Sequence, residues 1–216
     1  GVEVWAAYHS LLDQFWTPWS NRRDDRWGGS LENRTRMSRE VMTRIRRVCG
    51  DDFIIGLAIN DEPEVEIALQ REALAEIVEL HDRDTLMDYV TCGSGSYFDF
   101  YKIMPTFMYP EKLGADLASV IKSTVRHALV TAESHIRTPE NAESVLSEGR
   151  ADLVRVDCPR QALKRRAGRV ERGPRRTVSI HGHDRSGDYV RMRRSPASAL
   201  PRMKLSASPV GITIPE

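Results

Sequence analysis

Hydrophobic and polar positions follow two kinds of pattern along the first 154 residues. Short apolar runs predict buried strands, and stretches with an apolar residue every three or four positions predict helices. The predicted strands are residues 2–6, 53–59, 89–92, 128–132 and a fifth beginning at 151–154; the predicted helices are 31–48, 62–81, 115–127 and 139–148. Such alternation indicates βαβ units and a parallel sheet. A doubly wound sheet and a barrel both satisfy this order, so periodicity leaves the two open.

The 216-residue chain is shorter than the roughly 250 residues of a complete (β/α)8 barrel. It opens on an apolar run, with neither an initiator Met nor a signal peptide, and no apolar stretch reaches the roughly 18 residues of a membrane span. The cysteines Cys49, Cys92 and Cys158 are too widely spaced for a disulfide framework or a metal site. We therefore expect a cytoplasmic protein with no metal and no membrane partner.

The most specific stretch of the sequence runs from Leu11 to Arg34. It carries every fixed position of the pattern L-x-x-Q-F-x-x-P-x-x-N-x-R-x-D-x-[YW]-G-G-S-x-x-N-R. Its two glycines permit a close backbone approach, and Ser30 supplies a helix cap. The pattern resembles the signature of the old yellow enzyme family of NADH:flavin oxidoreductases, and within it the branch of amine dehydrogenases, N-methylproline demethylases and 2,4-dienoyl-CoA reductases. This motif identifies the scaffold rather than the catalytic residues.

The resemblance covers residues 1–154 and selects the barrel. It implies an α/β fold, an incomplete (β/α)8 TIM barrel that holds about strands 4 to 8, followed by an irregular basic tail. Residues 1–154 would then be a partial FMN-binding barrel and residues 155–216 the tail. The family holds FMN at the carboxyl ends of the strands and exchanges electrons with NAD(P)H or an electron-transfer partner. Larger relatives add an Fe–S cluster, but this chain has no cysteine-rich segment for one.

In the family that this sequence resembles, a pair of residues that face the substrate follows the first of these strands. Trp5 and Tyr8 occupy its two positions here, and His9 comes next. Two aromatic rings can stack on a flavin or enclose an alkylammonium group by cation–π attraction. Trp5 and Tyr8 are therefore candidate substrate-binding residues, and Tyr8 and His9 are candidate catalytic residues. The alternatives are a Trp5 that fills the core and a His9 that is satisfied within its loop.

The resemblance also places candidate cofactor-binding residues. Ala58 stands where the family carries an arginine beside the flavin N1 edge, with Asn60 as its candidate substitute. Ser134 and His135 stand where the family contacts the FMN phosphate. The helix start at Thr138 could receive an anion, although it fits an ordinary cap equally well.

Two further candidates lie around the third predicted strand. Asp88 is a candidate catalytic acid, because the amine dehydrogenases carry an acidic residue near this position; Tyr89 is the alternative if the register differs by one residue. The loop after this strand is rich in glycine and aromatic residues, and Tyr97 is its candidate substrate contact. The aromatic residues of this candidate lid are Tyr97, Phe98, Phe100 and Tyr101.

Aromatic residues at the substrate-side pair weaken the case for enone reduction. They favour an FMN-dependent oxidoreductase that oxidatively demethylates an N-methylated amine or amino acid, with a small-molecule amine or carbonyl compound as its substrate. Two other interpretations stay open. The chain could be a nonfunctional remnant, since three barrel strands and the phosphate-binding arginine are absent from the pattern, or it could be a basic-tailed binding protein.

Charge is divided unevenly along the chain. Residues 155–216 contain 15 lysines and arginines and 5 aspartates and glutamates, although the whole chain carries a net charge of only +1. Such tails can contact nucleic acid, but the basic clusters lack interleaved aromatic residues, so no nucleic-acid partner is expected. The apolar alternation stops after Val154, and Arg, Pro, Ala and Ser dominate the rest of the chain. We interpret residues from about 155 onward as an out-of-frame translation, with a genuine disordered basic extension as the alternative.

The nucleotide sequence tests this interpretation. Codons for Arg155 to Arg160 read one nucleotide later can encode Ser-Ile-Val-Arg-Gly, which would restore an apolar strand followed by an arginine. We expect the coding DNA to continue the barrel pattern in that second frame. If none of the three reading frames of the DNA continues the barrel pattern, the interpretation is wrong.

Overall fold

The computed structural model describes residues 1–104 and 107–156, together with the backbones of residues 178–181 and 188–192. Five parallel strands lie in chain order across one sheet. They are β1 (Val2–Trp5), β2 (Ile55–Asp61), β3 (Tyr89–Ser94), β4 (Leu129–Ala132) and β5 (Leu153–Val156). The helices are α1 (Leu11–Trp16), α2 (Leu31–Cys49), α3 (Arg71–Arg83), α4 (Phe100–Ile103), α5 (Ala115–Thr124) and α6 (Pro139–Ser147). This architecture confirms the predicted α/β class.

One face of the sheet is apolar and forms the core with the helices. Because successive side chains point to opposite faces of a strand, every second residue of each strand belongs to this face. Its strand residues are Val4, Ile55, Leu57, Ile59, Val90, Cys92, Val130, Ala132, Val154 and Val156. From the helices, Met42, Leu74 and Ile121 are fully buried in the same cluster. None of the described helices is long and apolar enough to cross a membrane.

The opposite face, which we call the inner face, carries polar side chains that meet across several strands. Arg155 of β5 lies 3.4 Å from Glu3 of β1 (Nη2 to Oε1). Four interstrand steps would separate these strands by about 19 Å in a flat sheet. Thr91 of β3 also donates a hydrogen bond to Glu3, at 2.7 Å. The sheet must therefore curve around its inner face, as in an arc of a barrel.

Carboxylates fix the amino-terminal edge of the sheet. Asp88, directly before β3, accepts a hydrogen bond from the backbone N–H of Ile55, at 2.7 Å. Asp152, directly before β5, does the same for Val130, at 3.0 Å. Asp82, near the end of α3, accepts from the N–H groups that lead into β4. Each carboxylate satisfies backbone donors that the parallel ladder leaves open, and so fixes the register of neighbouring strands.

The signature segment folds as its sequence predicts. Ser30 accepts a hydrogen bond from the N–H of Asn33 and caps α2. A Cβ at Gly28 would lie 2.2 Å from the carbonyl oxygen of Arg23, and Gly29 has φ of +78°. Asn21 donates to two carbonyl groups and closes the loop. The pattern therefore shapes a structural turn. The short helix α1, in the first part of the signature segment, was not predicted from the periodicity.

The predicted and observed elements differ most before α3. The sequence predicts a helix over 62–81, whereas α3 begins at Arg71. Residues 62–70 form successive turns instead, and the Gln70 side chain donates to the carbonyl groups of Val65 and Ala68. Pro63 disfavours a helix there, because it restricts the residue before it and lacks an N–H group.

The sheet continues beyond the predicted end of the barrel segment. Strand β5 runs through Val156, two residues past the predicted boundary. Two further strands, β6 (Val178–His181) and β7 (Asp188–Met192), are antiparallel to each other, and β7 pairs antiparallel with β5. The other residues of the predicted irregular tail, 157–177, 182–187 and 193–216, lie outside the described part of the chain.

A buried polar chain joins α1, α2 and α3. The Nδ1 of His81 lies 2.7 Å from the carbonyl oxygen of Ile77 and must donate to it, which leaves Nε2 to accept from the Ser38 hydroxyl at 2.8 Å. Trp16 donates its indole N–H to the same hydroxyl, at 3.0 Å. Burial lowers the pKa of His81 to about 4. The imidazole is therefore neutral in the folded protein.

This histidine should make stability depend on pH. Between its unfolded pKa of 6.5 and its folded pKa of about 4, the unfolded chain binds a proton that the folded chain does not. We expect the free energy of unfolding to fall by up to about 3 kcal/mol as pH falls through this window. Urea unfolding at about pH 7 and about pH 4.5 measures it. The change should shrink in His81→Gln but not in His127→Gln, which alters an exposed histidine; equal changes in both would contradict the assignment.

Candidate active site

The chain makes a strained turn where β1 ends. Tyr8 and His9 have φ of 60° and 59°, a region that non-glycine residues rarely adopt. The N–H of Tyr8 donates to the side-chain oxygen of Asn60, at 2.5 Å, and the N–H of His9 donates to Asp13, at 2.7 Å. These bonds hold the turn at the carboxyl end of the sheet, where barrel enzymes carry their active sites.

Trp5 and Tyr8 form the aromatic pair that the sequence predicts. Their ring centroids are 5.3 Å apart, with the planes tilted by 55°. Trp5 is 44% exposed, so it does not fill the core. Ala58 lies beside Trp5 in the ladder between β1 and β2, but it is only 1% exposed. Trp5 therefore offers open aromatic surface beside a partly covered Tyr8, and the small side chain of Ala58 lies beneath the open strand end.

Glu133 connects this pair to the inner face. The Tyr8 hydroxyl lies 3.4 Å from Glu133 Oε1, and Arg155 Nη1 lies 2.6 Å from Oε2 of the same carboxylate. Burial, reinforced by the negative charge of Glu133, raises the pKa of Tyr8 well above its usual value. Tyr8 is thus held as a neutral hydroxyl that can donate a proton or a hydrogen bond.

Gly93 leaves space at the centre of these groups. A Cβ on this residue would lie 2.9 Å from Glu133 Oε1, 3.1 Å from the Tyr8 hydroxyl oxygen and 3.3 Å from Ser134 Oγ. Any side chain here would displace at least one of these polar atoms. The glycine therefore lets three polar groups converge over the end of β3.

Ser134 and His135 form a second strained turn, after β4. Both have positive φ, of 71° and 57°. The Ser134 hydroxyl accepts a hydrogen bond from the N–H of Ser94, at 3.0 Å. His135 is buried, and its Nδ1 lies 2.8 Å from the carbonyl oxygen of Pro110, while its Nε2 has no hydrogen-bond partner among the described residues. Ser134 thus reaches the convergence at Gly93, and His135 supports the turn from behind.

The predicted aromatic lid meets the site through Phe98. The Phe98 ring contacts His9 edge to face at a centroid distance of 4.2 Å and Trp19 at 5.7 Å. Tyr97, the predicted substrate contact, is 66% exposed and stacks with Phe100 instead. Burial lowers the pKa of His9. His9 is therefore a packing partner of the lid and a neutral imidazole near neutral pH.

Lys102 fastens the lid to the loop after β2. Its ammonium group lies 2.8 Å from the buried carboxylate of Glu62 and 3.6 Å from Asp99, and it also pairs with Glu64. Burial of a carboxylate requires such a partner. The lid is thus held in place by an ion-pair cluster rather than by apolar contacts alone.

Asp88 corrects a prediction from the sequence. It lies directly before β3, at the amino-terminal edge, where it accepts from Ile55 N–H and from Arg46 at 3.0 Å. The site lies at the other end of the strands, so Asp88 cannot serve as its catalytic acid. Tyr89 is no substitute, because its ring fills the space above Gly56 deep in the sheet.

Sequence reasoning missed the three charged residues of the inner face, Glu3, Glu133 and Arg155. The signal was a polar residue at every second position: Glu3 and Trp5, Tyr89 and Thr91, Thr131 and Glu133. Reading each strand as an unbroken apolar run hid this alternation. Within residues 1–104 and 107–156, no group of three histidine, cysteine or acidic side chains is placed to hold a metal ion.

Comparison with known proteins decides the family. The sequence profile of the NADH:flavin oxidoreductase / NADH oxidase family matches residues 1–164. The chain belongs to this family. It is 33% identical over 157 residues to the N,N-dimethylglycine/sarcosine dehydrogenase of Chromohalobacter salexigens, which covers 71% of this chain and 22% of the relative. It is 34% identical over 161 residues to the NADH oxidase of Thermoanaerobacter brockii, covering 72% and 24%.

A solved structure supports the same family assignment through its fold. The 2-naphthoyl-CoA reductase complex superposes with a TM-score of 0.62 at 28% identity, over 70% of this chain and 23% of that chain. The chain thus spans about a quarter of the length of these relatives. The match confirms the predicted partial barrel fold. It also agrees with the family assignment that was made from the signature sequence.

Asp88 should affect stability rather than the site. Asp88→Ala removes the acceptor of the Ile55 N–H and one of the acceptors of the Arg46 guanidinium, and we expect it to lower the free energy of unfolding by about 1–2 kcal/mol. Asp88→Asn keeps one acceptor oxygen and should lose less. Urea unfolding measures both changes. An unchanged free energy of unfolding in Asp88→Ala would contradict this placement.

Proposed function

We propose that this chain forms part of an FMN-dependent oxidoreductase that oxidatively demethylates an N-methylated amine or amino acid. The observation that carries the proposal is the open Trp5–Tyr8 pair beside the Glu133 carboxylate. Aromatic faces attract alkylammonium groups, and a nearby carboxylate adds to that attraction. The similarity to a dehydrogenase named for N,N-dimethylglycine and sarcosine supports the same class of substrate.

The residues around Gly93 fit the polar edge of a flavin ring. This edge presents both N–H and C=O groups, and the site offers two hydroxyls and one carboxylate, from Tyr8, Ser134 and Glu133, around a residue without a side chain. Because the Nδ1–H of His135 donates to the Pro110 carbonyl, the Nε2 of the neutral ring can only accept, so it would meet a hydroxyl or N–H group of the cofactor rather than a phosphate oxygen. When bound, FMN supplies the hydride acceptor of the reaction.

The chain's own residues would bind and orient the amine. In the reaction, the bound ammonium group first loses its N–H proton to water. The freed lone pair then forms an iminium bond as a hydride leaves the N-methyl carbon for the flavin, and addition of water releases formaldehyde, the demethylated amine and a proton. Trp5 and Tyr8 stabilise the positive charge of the iminium by cation–π attraction. The lid residue Phe98, packed on His9, would limit the access of water from one side. NAD(P)H or another electron carrier would complete the redox cycle.

Flavin binding and amine oxidation test the proposal together. We expect the purified chain to take up FMN with its yellow absorbance, and to lose that colour when an N-methylated amine is added without oxygen, with formaldehyde released. Trp5→Ala should weaken the apparent affinity for the amine by about tenfold, because it removes one aromatic face. Trp27→Ala, which alters a tryptophan of the signature turn that packs against Arg26, is the matched control and should leave this affinity unchanged.

The alternatives predict other outcomes. A nonfunctional remnant would bind no FMN, and that result would sink the proposal. Flavin that is bleached by NADH and then reoxidised by an enone, but not reduced by amines, would point to the carbonyl substrates of the same family.

A further inference from the structure

We propose that Asn60 is a positioning residue that couples the lid to the aromatic pair: one side-chain amide fixes the backbone of Tyr8 and holds the lid at Gly95, so that lid and pair move together. The inference rests on the proposed function only in taking Trp5 and Tyr8 as the pair that faces the substrate. It adds to that function the residue that brings the lid over the pair.

Asn60 binds the two segments through opposite ends of its amide. Its Oδ1 accepts a hydrogen bond from the N–H of Tyr8, at 2.5 Å, and its Nδ2 donates to the carbonyl oxygen of Gly95. The amide oxygen can only accept and the amide nitrogen can only donate, so these two backbone partners fix the orientation of the side chain. A shift of either segment therefore strains the bond to the other.

On the side of the pair, Asn60 holds a strained backbone. Tyr8 has φ of 60°, and a non-glycine residue keeps such a conformation only where neighbouring contacts impose it. The backbone at this position sets the direction of the Tyr8 ring, which lies 5.3 Å from the ring of Trp5. Loss of the bond to Asn60 should therefore change the geometry of the aromatic pair.

On the side of the lid, Asn60 holds the residue at which the lid begins. Gly95 has φ of +97°, and its N–H donates to the carbonyl oxygen of Asp61, at 3.0 Å. The end of β2 thus binds Gly95 through both its N–H and its C=O. A Cβ on Gly95 would lie 2.7 Å from Lys102 Cβ and 2.9 Å from the backbone nitrogen of Ile103, so α4 packs directly on this glycine. Movement of Gly95 therefore moves the lid helix.

A second contact joins the same two segments. The Phe98 ring lies 4.2 Å from the His9 ring, and His9 directly follows Tyr8. The lid is thus attached to the turn by a polar contact through Asn60 and by an aromatic contact three residues after Gly95. Because both contacts bridge the same lid and turn, an opening of the lid breaks them together.

Amide hydrogen exchange in the full chain, without flavin or other ligand, tests the coupling. Lys102→Met loosens the lid at its ion pair with Glu62. We expect it to speed exchange of the Tyr8 N–H by about tenfold, since the loosened lid no longer holds the Asn60 amide. Asn60→Asp keeps an acceptor for Tyr8 but has no donor for Gly95. In that background Lys102→Met should speed the same exchange by less than about twofold.

The matched control is Lys122→Met, which breaks an ion pair with Asp152 at the amino-terminal edge and should leave Tyr8 exchange unchanged. Unchanged exchange in Lys102→Met would overturn the proposal. So would an equal acceleration in the chain with Asn60 and in Asn60→Asp.

Ser96→Ala provides a second lid variant in case Lys102→Met does not fold, as judged by circular dichroism. It removes the side-chain acceptor of the Phe98 N–H and leaves the lid charges in place. We expect it to speed Tyr8 exchange by about threefold in the chain with Asn60 and not in Asn60→Asp. Unchanged exchange in the chain with Asn60 would also count against the coupling.

Tetramethylammonium then separates this proposal from the proposed function. Bound at Trp5 and Tyr8, it should slow amide exchange at Gly95 and Phe98 by about threefold in the unmodified chain and not in Asn60→Asp, because coupling between two segments is reciprocal. Binding that leaves the lid amides of the unmodified chain unchanged would overturn the coupling. Undetectable binding would count against the amine substrate, and the exchange measured in the free chain would still decide the role of Asn60.

Discussion

The ion pairs of Arg155 with Glu3 and Glu133 define how the sheet curves. They join the first and fifth parallel strands across the inner face, a contact that a flat sheet could not make. Buried ion pairs contribute little net stability, because desolvation of the charges offsets their attraction. Losing one partner is nevertheless costly, since it leaves a buried charge without compensation. The cluster therefore joins the two ends of the curved sheet while contributing little net stability.

The two edges of the sheet have different roles. At the amino-terminal edge, Asp88 and Asp152 accept backbone hydrogen bonds and fix the strand register. At the carboxyl edge, the chain instead adopts strained turns at Tyr8–His9 and Ser134–His135. Strain of this kind persists only where neighbouring contacts impose it, and here those contacts come from Asn60, Ser94 and the lid. The candidate site lies at the strained edge, and the register-fixing carboxylates lie away from it.

The sequence predicted a site residue well where nearby sequence positions its side chain, and poorly where its contacts are distant along the chain. Trp5 and Tyr8 do lie together at the end of the first strand, because they follow it within a few residues of a specific motif, and their role in binding stays a prediction. Asp88 was misplaced, because it was carried over from the family although it precedes its predicted strand, at the end opposite to the expected FMN site. Tyr97 was chosen from the lid by composition, while the contact with His9 belongs to its neighbour Phe98. Glu133 was overlooked, since a single acidic residue after an apolar run carries no local signal of its partners.

The sequence by itself determined the alternation of strands and helices, the capped and glycine-rich signature turn, and the family. These features depend on side-chain periodicity and backbone freedom within a few residues, which are local properties. Only the tertiary structure decided the contacts of Tyr8 with Glu133, 125 residues apart, and of Glu3 with Arg155, 152 residues apart. Both depend on the curvature of five strands together. The charge of the candidate site is consequently a property of the sheet, and no single segment of the sequence contains it.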